Sequence, residues 1–61
     1  MAQITEKELT ALGDLMSMEC NLVAKCHDMA CCTQDVALKD RYEQMAQRHQ
    51  RHFDQLYSNL K

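Results

Sequence analysis

The chain has 61 residues, 46% of them hydrophobic and 26% charged, so it is too short for several domains and too polar for a membrane insert. Seven Lys and Arg residues against nine Asp and Glu residues give a formal charge of -2. With no block of basic residues, we expect no nucleic-acid partner. The charged segment Glu6-Lys7-Glu8 predicts a cytosolic chain without an export signal. One glycine and no proline nearly exclude strands and favour an all-α protein.

The first predicted helix spans residues 6–31. The segment Thr5-Glu6-Lys7-Glu8 is a capping box, in which Thr5 and Glu8 satisfy two amide groups at the start of the helix. Apolar residues then recur at steps of three, four and seven, which predicts one buried face. That face carries Leu9, Leu12, Leu15, Met16, Leu22, Val23, Cys26, Met29 and Ala30.

The second predicted helix spans residues 36–60, after a short turn at residues 33–35. Asp35 is the predicted N-cap, because its carboxylate accepts hydrogen bonds from the first free amides of a helix. The predicted apolar face carries Leu38, Tyr42, Met45, Phe53, Leu56 and Leu60. Two helices joined by so short a turn must lie antiparallel, as a hairpin.

The length of the turn also predicts which residues lie side by side. With the turn centred near residue 34, residues whose numbers sum to about 68 share a level of the hairpin. The residue pairs predicted to lie at one level are Ala30 and Leu38, Cys26 and Tyr42, Val23 and Met45, and Leu12 and Leu56. One hairpin leaves half of each apolar face in water, so we expect two copies to form a homodimeric four-helix bundle.

Two polar residues fall on these apolar faces. On a helical wheel Glu19 lies among the apolar residues of the first helix and His49 among those of the second, and both share one level. A buried carboxylate or imidazole needs a partner. One interpretation is a metal site for iron, manganese or zinc, formed from two copies of each residue. The other is a polar layer in which Glu19 bonds His49 without a cofactor, and the small number of carboxylates favours it.

Three segments of the chain carry a resemblance: Leu15-Met16-Ser17-Met18-Glu19-Cys20-Asn21-Leu22, Thr33-Gln34-Asp35-Val36-Ala37-Leu38-Lys39 and Ala46-Gln47-Arg48-His49-Gln50-Arg51-His52-Phe53. In their order and spacing they resemble the coat F family of spore coat proteins, small ferritin-like helical proteins of spore-forming bacteria. The resemblance implies an all-α ferritin-like bundle and a non-catalytic structural role. It also implies residence in the mother-cell cytoplasm and then in the spore coat, with other coat proteins as partners.

The resemblance to ferritin-like metal proteins concerns four positions. Those proteins have a Glu followed seven residues later by a Tyr, and a Glu-x-x-His on the next helix. Glu19 and His49 match the first Glu and the His, whereas Cys26 stands in place of the Tyr and Ala46 in place of the second Glu. The resemblance therefore implies a metal site that has been eroded or put to another use.

The remaining histidines lie at the edges of the predicted core. His52 follows His49 by three residues, and we weigh a partly exposed position against a role as an added ligand, with exposure favoured. His27 is assigned no role. The methionines and Cys26 suit either a Cu(I) site or core packing, and helical spacing favours packing.

The four cysteines are Cys20, Cys26, Cys31 and Cys32, and their spacing fits neither a zinc knuckle nor a disulfide framework. We expect thiols. Cys31 and Cys32 lie off the apolar face near the turn, where they are candidates for intermolecular disulfides within a coat layer. No nucleophile and base pair stands out, so we expect no enzymatic activity.

Overall fold

The computed structural model describes residues 4–60, which form two antiparallel α-helices joined by a short turn. Helix α1 spans Glu6–Cys32 and helix α2 spans Val36–Ser58. Residues 4–60 contain no strand. The all-α class, the start of both helices and the turn at residues 33–35 agree with the sequence prediction.

The capping box at the start of α1 forms as predicted. The Glu8 backbone N–H donates to Thr5 Oγ1 at 3.1 Å, and the Thr5 backbone N–H donates to Glu8 Oε1 at 3.1 Å. Hydrogen bonds from Thr5, first through its side chain and then through its backbone, lower the pKa of the Glu8 carboxyl below its ordinary value of 4.5. The ionised carboxylate therefore favours the folded helix start.

Replacing Thr5 with alanine should lower the free energy of unfolding by about 1 kcal/mol, because the N-cap oxygen is lost. Thr5→Ser keeps that oxygen and is the matched control. Folding lowers the pKa of Glu8, so the ionised carboxylate stabilises the folded chain. This contribution to the free energy of unfolding is complete above pH 4.5 and disappears as the pH falls through the lowered pKa. Urea denaturation of all three proteins at neutral and acid pH measures both effects. Equal stability of Thr5→Ala and Thr5→Ser would contradict the cap.

The turn is fixed by side chains at both of its ends. The Asp35 backbone N–H donates to Thr33 Oγ1 at 3.2 Å, and the Leu38 backbone N–H donates to Asp35 Oδ1 at 3.1 Å. The Thr33 backbone N–H still bonds the carbonyl of Met29, the last such bond of α1. Asp35 is thus the N-cap of α2 that the sequence predicts.

Helix α2 ends at Ser58, two residues earlier than predicted. The Asn59 backbone N–H donates to the carbonyl of Leu56, and the Leu60 backbone N–H donates to the carbonyl of Tyr57. Each of these hydrogen bonds spans three residues, as in a 3₁₀ turn, instead of the four of an α-helix. The Asn59 side-chain amide also donates to the Gln55 carbonyl at 3.0 Å. These bonds satisfy the terminal carbonyls and end the helix.

The contact between the helices is narrow. Its buried apolar residues are Leu12, Cys26, Ala30 and Ala46. Ala46 is 1% exposed, whereas Met45, which the sequence places opposite Val23, is 44% exposed. Small side chains bring the two backbones together at Ala46, and this turns Met45 to the side. In the single chain the predicted burial of Met45 is therefore wrong.

The hairpin is a thin rod with much of its surface in water. Its Cα atoms extend over 47 × 16 × 10 Å, with a radius of gyration of 14.4 Å. A compact domain of this length would have a radius of about 10.5 Å. The accessible surface is 5053 Å², against about 4,100 Å² for a compact monomer of the same mass. Over residues 4–60, neither helix has an apolar stretch long enough to cross a membrane.

Candidate functional site

Three polar side chains meet near the middle of the hairpin. Glu19 comes from α1, and His49 and His52 come from adjacent turns of α2. His49 Nδ1 lies 3.1 Å from Glu19 Oε2 and 3.3 Å from Oε1. His52 Nδ1 lies 3.2 Å from the same Oε2 atom. We call these three residues the Glu-His-His cluster.

The protonation pattern of the cluster follows from its geometry. A carboxylate accepts hydrogen bonds and donates none, so both imidazoles carry a proton on Nδ1 and donate it to Glu19. The two rings meet edge to face, with centroids 5.5 Å apart and planes at 84°. Both imidazoles are therefore oriented toward one oxygen atom.

Burial falls off across the cluster. The side chains of Glu19 and His49 are 15% and 21% exposed, and that of His52 is 47% exposed. Among residues 4–60, no buried side-chain nitrogen or oxygen lacks a hydrogen-bond partner. The cluster thus has a shielded end at Glu19 and an end at His52 that water can reach.

The contact between Glu19 and His49 is the one that the level rule predicts. His52 was expected at the edge of the core, and it is exposed, yet it also bonds Glu19. The signal for its participation was its spacing of three residues from His49, which places both rings on one side of α2. A helical wheel alone could not show that the Glu19 carboxylate reaches both.

The other candidate residues lie outside the cluster. His27 lines a groove with Val23, Ala46 and Gln50. Ala46, one turn before His49, supplies no carboxylate. Cys26 is buried, as expected of a small hydrophobic residue.

Sulfur-containing side chains are spread along the rod. Cys31 and Cys32 are exposed at the end of α1, and all four cysteines are free thiols. Met29 and Met45 are exposed, so the single chain does not use them as core residues.

No family model, curated protein or solved structure matches this chain. The resemblance to the coat F family therefore stays a prediction from the sequence segments that carry it.

Proposed function

We propose that the chain is a non-catalytic structural component of a bacterial spore coat, and that its building block is a homodimeric, ferritin-like four-helix bundle. The observation that carries the proposal is a set of large apolar side chains left in water along one side of the hairpin. We call this set the open apolar face. It consists of Leu15, Met18 and Met29 on α1, and Leu38 and Met45 on α2.

The position of the open apolar face follows from helical geometry. At about 100° per residue, its members lie to the side of the contact that also carries His52. The groove lined by Val23, His27, Ala46 and Gln50 lies on the opposite side. Exposed apolar side chains of both helices therefore lie on one side of the hairpin.

A second copy of the chain is the occupant that fits this face. The face extends along a rod, and an identical rod related by a two-fold axis presents a surface of the same length and character. Three of its five members are methionines, whose flexible side chains pack well against an irregular partner. Soluble monomers rarely leave such patches in water. Pairing would also remove the excess of accessible surface over that of a compact monomer.

Two further features support the assignment to a spore coat: the sequence resemblance and the exposed thiols of Cys31 and Cys32. In a helix these neighbours project about 100° apart, which favours bonds to other chains over a bond between them. A disulfide between two chains removes two protons and two electrons from two thiols, with molecular oxygen as the acceptor. Such bonds would hold dimers together in an insoluble layer.

Fractionation of sporulating cells tests this role. We expect the tagged chain in the coat fraction of purified spores, and we expect its release by detergent to increase at least fivefold with a reductant. A variant with both Cys31→Ser and Cys32→Ser should reach the coat and be released without reductant, whereas Cys26→Ser, at a buried thiol, should behave like the parent. A chain found only in growing cells would overturn the coat assignment, and reductant-independent release of the parent would overturn the cross-link.

A further inference from the structure

We propose that Glu19, His49 and His52 bind one divalent transition-metal ion within a single chain, with zinc as the representative ion. All three ligands belong to one hairpin, so the site does not need a second copy. The inference is therefore separate from the proposed coat function. It differs from a site shared across a dimer because His52 replaces the missing second carboxylate.

The separations of the donor atoms fit an ion. Zinc binds imidazole nitrogen and carboxylate oxygen at about 2.0–2.2 Å, so two ligand atoms of a tetrahedral site lie about 3.4 Å apart. The Glu19 oxygen lies 3.1 Å and 3.2 Å from the two Nδ1 atoms. The three donor atoms together lie within 4.8 Å of one another. An ion could replace the two hydrogen bonds with small side-chain movements.

The donor set selects a class of metal. Two imidazole nitrogens and one carboxylate oxygen suit zinc and its first-row neighbours, whereas calcium and magnesium prefer oxygen alone and Cu(I) prefers sulfur. Each neutral imidazole would move its proton from Nδ1 to Nε2, and the free Nδ1 lone pair would face the ion. The Glu19 carboxylate would supply one negative charge against the two positive charges of the metal.

Solvent access agrees with this assignment. In the unpaired hairpin, the exposed ring of His52 gives an ion a route from solvent to the more buried carboxylate. Ala46 has only a methyl group one turn away, so the chain offers three ligands there and leaves the fourth position to water. Catalytic and exchangeable zinc sites share this pattern of three protein ligands and one open position.

Titration of the full, reduced chain with zinc chloride, followed by calorimetry, tests the site. We expect one ion per chain at the cluster. Glu19→Gln and His52→Gln should each weaken binding at least tenfold, while His27→Gln, which removes a histidine on the other side of the hairpin, should change it less than twofold. Helicity by circular dichroism confirms that each variant is folded.

The thiols require their own readout, because cysteines also bind zinc. In a parallel titration with Co²⁺, we expect d–d bands without a thiolate charge-transfer band. A thiolate band, unchanged binding in His52→Gln, or a dissociation constant weaker than about 1 mM would overturn the inference.

Sedimentation of the chain in the presence of a chelator separates this proposal from the previous one. A metal-free dimer without zinc affinity would defeat only the metal site. A monomer with the expected zinc affinity would defeat only the dimer.

Discussion

Replacing Glu19 with leucine should lower the free energy of unfolding by about 2 kcal/mol, because the change leaves the half-buried His49 without its acceptor. The Nδ1–H groups of both His49 and His52 lose the oxygen that they share. His52 is exposed enough to bond water instead, so most of the penalty falls on His49. Glu19→Gln keeps a side-chain oxygen in place and should cost less than half as much.

The double variant Glu19→Leu with His49→Leu isolates the contact between the two side chains. We expect it to recover most of the stability that Glu19→Leu loses, since an apolar pair of similar size leaves no buried donor unpaired. Urea denaturation with a chelator and at fixed protein concentration measures all four proteins of the cycle. Additive losses in the two single variants would show that the two side chains contribute independently, against the contact in the structure.

Local signals made the hairpin predictable from sequence. The N-caps Thr5 and Asp35 both form the hydrogen bonds that their side chains predict. Near the turn, the short connection fixes the register, and this register still holds at Glu19 and His49, half-way along the rod. The predictions of the two N-caps and of the shared level of Glu19 and His49 were therefore confirmed.

Predictions that depend on the direction in which one helix faces the other were less successful. The apolar period of α2 includes Met45 but gives no reason to place Ala46, whose apolar side chain is only a methyl group, at the centre of the contact. The rotation of α2 that buries Ala46 turns Met45, which lies on the other side of the contact, toward water. This rotation explains the misplaced methionine, and only coordinates of both helices could reveal it.

The side on which the proposed second copy would pack is likewise beyond the sequence pattern. Leu9, Tyr57 and Leu60 form a shorter exposed patch at the end of the rod away from the turn. Periodicity assigns both patches to the same broad stripe. The positions of the exposed side chains distinguish the two patches. The open apolar face is longer and lies near the Glu-His-His cluster, whereas the shorter patch lies at the end of the rod.

Replacing Leu15 with glutamate should raise the dissociation constant of the dimer at least about 100-fold, which corresponds to about 2.7 kcal/mol. A two-fold axis places the new carboxylate in the interface twice, and each copy must lose its water without a partner. Leu9→Glu is the matched control, because Leu9 and Leu15 are on the same helix and are both 48% exposed. Its dimer should be as tight as that of the parent chain.

Sedimentation equilibrium over a range of concentrations, with helicity checked by circular dichroism, distinguishes the two faces. Met45→Glu, on the opposite helix of the open apolar face, should weaken the dimer as Leu15→Glu does. If Leu9→Glu dissociates the dimer and the other two variants do not, the copies meet at the shorter patch. The position of the contact then decides the environment of His52, because only pairing through the open apolar face covers the side of the hairpin on which that ring is exposed.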